Sequence, residues 1–195
     1  MPDETVYDFR SNAFVNRRRY RLTDDALTWE EEGKPLDGVF YDDISEIRLA
    51  FAPTRWATNR FRARIILREG GMAELFNLDY VSVGNFKALD AEYSTFLREL
   101  HRRMAERGTP TVYRVGNSTG GYIANWLLMI FIVAMLALIF VFLLTVGLAP
   151  IAFAKVLVIL FFLPVALRHM RRAKPGTYDP RAIPEAVLPT PPAPP

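Results

Sequence analysis

Apolar and polar positions along this chain alternate at first, then repeat at helical spacing, then give way to unbroken apolar runs. Tyr20-Arg-Leu22 opens the alternation, and Leu27 and Trp29 continue it against Thr28 and Glu30. Val39, Tyr41, Ile44, Ile47, Leu49 and Phe51 carry it on. Phe61, Ala63, Ile65 and Leu67 then share one strand face, while Arg60, Arg62, Arg64 and Arg68 fall on the other. Thr23-Asp-Asp25, Glu32-Gly-Lys-Pro35 and Glu69-Gly-Gly71 read as turns, and Met72 to Leu78 reads as a return strand. The pattern predicts about six to seven short strands in an antiparallel meander. Phe86, Leu89, Tyr93, Phe96, Leu97, Leu100 and Met104 then repeat at threes and fours, which predicts one amphipathic helix. Asn85 can cap that helix, and Gly108 and Pro110 end it. Asp90 and Glu92 near its start and Arg98, Arg102, Arg103 and Arg107 near its end suit the helix dipole.

The apolar runs are of another kind. Tyr122 to Thr145 holds no charged residue, and Ile151 to Leu167 holds only Lys155. A spanning helix needs roughly 20 apolar residues, and a soluble core rarely holds helices that are apolar all round. The chain therefore belongs in a membrane. Val146 to Pro150 supplies a turn, so the expected arrangement is a transmembrane hairpin with first helix 122–145, turn 146–150 and second helix 151–168. A re-entrant hairpin is the rival arrangement.

Charge sets the expected orientation. Arg102, Arg103, Arg107 and Arg114 precede the first run, and Arg168, Arg171, Arg172 and Lys174 follow the second. Short cationic flanks stay cytoplasmic, so both termini are expected in the cytoplasm of a multi-pass inner-membrane protein. The first 20 residues lack the apolar core of a signal peptide, which leaves the first spanning helix as the expected insertion signal. The chain has 24 Lys+Arg against 21 Asp+Glu and no cysteine, which excludes disulfides and thiolate chemistry. The basic excess lies in and after the apolar runs, so nucleic acid is not an expected partner.

The strand-turn-strand opening YRLTDDALTW, the step FYDDISEIRL and the helix ending FLRELHRRM together resemble the bacterial pleckstrin-homology-like domains found beside membrane helices. The resemblance spans roughly Arg17 to Arg107. It implies an α+β domain, a small antiparallel barrel or sandwich capped by a C-terminal helix, with binding roles rather than chemistry. Lipid or ligand sites in such folds lie in loops between early strands. Here the first such loop, Thr23-Asp24-Asp25, is acidic and lacks a Lys-x-Arg phosphoinositide signature. The implied organisation is an N-terminal arm (1–16), the domain (17–108), a flexible linker (109–121), the hairpin and a proline-rich cytoplasmic tail (169–195).

Candidate chemistry is sparse. Asp24/Asp25 and Asp42/Asp43 are adjacent pairs that point apart, as turn residues do, rather than converging on a substrate. The two histidines, His101 and His169, have no cysteine and no clustered carboxylates to build a metal site with. Gly116 to Gly121 lacks the spacing of a phosphate loop. No enzyme activity and no cofactor are expected. The strongest local feature is the arginine row, Arg60, Arg62, Arg64 and Arg68, which either attracts phosphate headgroups or pairs with Glu74 or Glu46 across the sheet. Trp56 beside Arg55 either lids the core or dips into the headgroup layer. In the tail, Tyr178, Ile183 and Leu188 (with Val187) are apolar anchors that a solvated arm would not need, so the tail is expected either to dock on a partner or on its own domain, or to stay solvated. The expected function is a binding or scaffolding module at the inner membrane, for anionic lipid or a protein ligand. The alternative is an assembly or regulatory subunit contacted through hairpin and tail, where Ala124, Ala134 and Ala137 leave room for helix packing.

Overall fold

The computed structural model describes residues 5–147, 167 and 174–189. They divide into two compact units, one drawn from Met1–Gly116 with Gly176–Pro195 and the other from Asn117–Pro175.

The first unit is α+β. Strands β1 (Val6–Phe9), β2 (Arg18–Leu22), β3 (Ala26–Glu31) and β4 (Asp37–Phe40) form an antiparallel sheet in sequential order. β5 (Ile44–Phe51), β6 (Phe61–Leu67) and β7 (Met72–Phe76) begin a second sheet. β8 (Leu78–Ser82) and β9 (Asn85–Ala88) make a separate hairpin before helix α1 (Asp90–Arg107). β10 (Val112–Val115) then joins β5 in parallel, and β11 (Gly176–Thr177) joins β10 antiparallel, giving the order β11-β10-β5-β6-β7.

The period-2 pattern explains the layers. Phe61, Ala63 and Ile65 of β6 are buried, as are Ile47 and Leu49 of β5, while Arg48, Arg62 and Arg64 alternate outward. The helical pattern does the same for α1, which buries Tyr93, Phe96, Leu97, Leu100, His101 and Met104. Gly108 ends α1 in the left-handed region at φ 66°, where its N–H reaches the carbonyls of Ala105 and Met104. Buried Asn77 ties the elements together. Its Oδ1 accepts from the Phe61 N–H at 2.6 Å, and its Nδ2 donates to the Asn59 carbonyl at 3.0 Å and to Asp90 Oδ1 at 2.7 Å.

Several expectations need correction. The fold is α+β as expected, but in place of six to seven antiparallel strands in a barrel or sandwich the described residues hold eleven strands in three sheets, one of them mixed. Residues 1–16 are not a free arm. β1 pairs with β2 in the register Tyr7↔Tyr20, and Tyr7 and Phe9 are both 2% exposed. The segment 109–121 is not a linker throughout, because Tyr113 faces Ile47 across the parallel pair β10–β5. Phe86 does not belong to the helix: Gly84, at φ 76°, turns the chain so that Asn85–Ala88 pairs back on β8, and α1 starts at Asp90.

The second unit contains α2 (Thr119–Thr145), 27 residues whose most apolar 18-residue stretch has a mean hydropathy of 3.4, long and apolar enough to cross a membrane. Ser118 caps it, accepting from the Gly121 N–H at 3.2 Å. The expected second spanning segment, 151–168, lies outside the described residues except for 167, and so does most of the turn 146–150. Lys155, His169, Arg171 and Arg172 also lie outside them.

Candidate functional site

Two features of the first unit bring functional side chains together. The first is the outer face of the five-stranded sheet. The register sets Arg114 of β10 opposite Arg48 of β5, Arg48 opposite Arg64 of β6, and Arg64 opposite Glu74 of β7. Arg62 lies one pleat along on the same face. Glu74 pairs with Arg64 at 2.7 Å and with Arg62 at 3.7 Å, while Glu46 pairs with Arg48 at 2.6 Å and Arg114 at 3.3 Å. Four guanidiniums thus share two carboxylates, and the face stays cationic. Burial lowers the pKa of Arg62, and neighbouring Arg64 lowers it further, so this face holds positive charge against an electrostatic cost that an anion would relieve.

The other members of the expected row lie elsewhere. The Arg60 guanidinium stacks on the Phe76 ring at 3.8 Å, and its pKa is lowered by burial. Arg68 donates to the carbonyls of Asp42 and Pro110, both at 2.8 Å, which fixes the turn beside β10. Trp56 is 57% exposed, with the Arg55 guanidinium 4.6 Å from its ring centre, so it does not lid the core. Gly84 approaches the Trp56 ring, and Val83 next to it is 82% exposed.

The second feature is the seat of the tail. β11 adds to the edge of β10 in the register Val115↔Gly176 and Arg114↔Thr177. The approach is close: a Cβ at Gly176 would meet Val115 Cγ2 at 3.2 Å. The Tyr178 N–H donates to the Tyr113 carbonyl at 3.2 Å. The Tyr178 ring meets Tyr113 edge-on at 5.8 Å and His101 at 5.8 Å. Ile183 packs on the core, and Val187 and Leu188 enter it at 7% and 4% exposure.

The hydrogen bonds fix the His101 tautomer. A carbonyl can only accept, so Nδ1, 2.7 Å from the Leu97 carbonyl, carries the proton and donates it. Nε2 is then the acceptor for the Tyr178 hydroxyl at 2.6 Å. Burial holds the imidazole pKa down, to about 4, against the opposing pull of the Leu97 bond. Burial, then the nearby Tyr113, pushes the Tyr178 hydroxyl well above its ordinary value, so it remains a donor.

Sequence reasoning missed Arg48, Arg114, Tyr113 and the role of His101. Arg48 was within reach, because the alternation of Ile47 and Leu49 already sends it outward. His101 sits four residues after Leu97 and three before Met104, which places it on the apolar face of α1. Nothing local signals that β10 would pair in parallel with a strand some sixty residues earlier.

No family model matches this chain, and no curated protein matches it. Among solved structures, one described as "Structure of the Spt16D Pob3N heterodimer" is similar at a TM-score of 0.34 with 13% sequence identity, covering 60% of this chain and 56% of that one. The chain thus spans little more than half the length of the solved chain it matches.

Proposed function

We propose that this is a non-enzymatic integral membrane protein whose first unit, a variant of the pleckstrin-homology-like arrangement, binds anionic ligands at the surface of a bacterial inner membrane. The observation that carries this reading is the cross-strand row Arg114–Arg48–Arg64 with Arg62, four guanidiniums sharing two carboxylates on one half-buried sheet face. Phosphate headgroups are the matching chemistry, since guanidinium forks bind them bidentately. Exposed Trp56 with Arg55 adds an aromatic of the kind that settles at headgroup level.

The test uses a soluble chain in which a Gly-Ser linker replaces 117–175, joining β10 to its neighbour β11. It should sediment with phosphatidylglycerol vesicles and not with phosphatidylcholine vesicles, and salt should release it. Changing Arg62 and Arg64 to Ala should weaken binding roughly 30-fold, at about 1 kcal/mol per guanidinium near an anionic surface. Equal sedimentation with neutral and anionic vesicles, or none with either, would sink the lipid reading. The weight would then move to a membrane-protein partner, with this chain as its assembly subunit.

We further propose that the segment 117–175 crosses the bilayer an even number of times, as a spanning hairpin with both termini cytoplasmic. Val115 and Gly176 are paired neighbours within one folded unit, so the chain enters and leaves that segment from the same side of any membrane. The cationic flanks support the cytoplasmic side. The chain has no cysteine, so single cysteines can be placed at Val146 and Glu106. An impermeant maleimide should label them from opposite sides of the membrane. Labelling of both from the same side would overturn the spanning hairpin in favour of the re-entrant one.

A further inference from the structure

The seat of the tail has the parts of a peptide-recognition site. When β11 leaves, β10 becomes an edge strand with open backbone groups, the usual template for strand addition. Beside that edge, His101 and Tyr113 form an aromatic socket in which Nε2 takes a hydroxyl donor. Val115 crowds the position of Gly176, where a Cβ would meet its Cγ2 at 3.2 Å and force it to give way. The core then receives two adjacent aliphatic side chains at Val187 and Leu188. The site therefore favours a segment that pairs with β10 at a glycine, carries a tyrosine two residues on, then turns, and places an aliphatic pair nine residues after that tyrosine.

We propose that this groove is an exchangeable peptide site, filled in cis by the chain's own tail and able to take the tail of a second copy. A second copy's tail carries the same glycine, tyrosine and aliphatic pair in the same order, so it fits without any change in the groove. The exchange is reciprocal, each copy giving a tail and receiving one, which closes as a two-fold pair. The cis arrangement prevails in isolation because the tether holds the tail near its own groove at roughly millimolar effective concentration. Exchange takes over where copies crowd in the plane of a membrane, or where a copy's own tail cannot seat.

Two full-length variants in detergent test this by complementation. One carries Tyr178→Ala and Leu188→Ala, so its groove is open and its tail is unseated. The other carries Val115→Phe, whose ring occupies the space of Gly176, so its groove is blocked and its tail is free. Differently tagged, the two should co-purify as a mixed pair, while neither pairs with itself. Two natively folded variants that never pair would overturn the proposal. A second measurement does not depend on Val115→Phe folding. A labelled synthetic peptide of residues 174–189 should bind the tail-unseated variant at least tenfold more tightly than the parent, whose groove is filled. The same peptide with Phe in place of Tyr178 should bind roughly fivefold more weakly, for loss of one hydrogen bond. Absence of peptide binding to the folded tail-unseated variant would overturn the proposal equally.

Discussion

Leu188→Ala should let trypsin cut the Arg181–Ala182 bond roughly 30- to 150-fold faster than in the parent chain, read by mass spectrometry under conditions where the bond opens and recloses faster than it is cut. Arg181 is exposed, but its backbone is held in a tight turn: its N–H donates to Asp179 Oδ1 at 2.9 Å, and the Ala182 N–H donates to the Asp179 carbonyl at 2.9 Å. A protease needs an extended stretch of chain on both sides of the cut, so cleavage waits for the tail to lift from its seat. Lifting exposes Leu188, now 4% exposed, and Val187, now 7% exposed. Truncating a buried leucine costs about 2–3 kcal/mol at the lower end of its range, and that loss falls on the lifting equilibrium alone if the rest of the unit stays folded. The circular dichroism of the variant should therefore stay native while cleavage at Arg181 accelerates. Unchanged cleavage in a folded variant would mean that Leu188 does not hold the tail.

What the sequence could reveal divides along physical lines. The β6 face, the end of α1 at Gly108 and the span of α2 rest on periodicity and capping, which are local, and the chain shows them without its fold. The outward arginines of β6 were equally legible, but their partners were not. Alternation places Arg62 and Arg64 on a face, yet only the register of β5, β6 and β7 decides that Glu74 meets Arg64 and that Arg48 lies between Arg64 and Arg114. Short elements failed for a related reason. Val6–Phe9 and Val112–Val115 are four residues each, too brief for a period to stand out, and both are strands because a partner far along the chain supplies the hydrogen bonds. Asn85 to Leu89 misled because its apolar spacing continues that of the helix, whereas the left-handed turn at Gly84 commits it to a hairpin.

The tail shows how the two kinds of information combine. Tyr178, Ile183, Val187 and Leu188 stand out as apolar residues in a proline-rich stretch, a composition that disfavours α-helix, and its described residues form only the two-residue strand β11, a turn at Asp179 and a short 3-10 turn at Glu185–Val187. Composition cannot say what they touch. The structure sets that stretch on an edge strand and a buried histidine, a seat that exists only because β10 pairs in parallel with β5.

That histidine makes the first unit pH-sensitive, and through His101 alone the unit should lose about 3 kcal/mol of stability between pH 6.5 and pH 4. The sign follows from proton binding. In the unfolded chain His101 takes up its proton near 6.5, while in the folded unit burial holds that uptake down to about 4. Between those values the unfolded state binds more protons, so stability rises with pH across the window and is fully present above it. The groups that face the ring add no charge there: the Leu97 carbonyl does not titrate, and Tyr113 and Tyr178 both have raised values. Acid loss from carboxylates falls at lower pH. Glu99, held down to about 2 by Arg102 first and then by Arg103, begins to lose its contribution only below 4.5. The two effects therefore separate on the pH axis. Urea unfolding followed by circular dichroism should show stability falling from pH 6.5 in the parent. In His101→Gln, which keeps an acceptor for the Tyr178 hydroxyl but has nothing to titrate, the curve should stay flat down to about 4.5. A parallel fall in both proteins would place the acid sensitivity elsewhere in the unit.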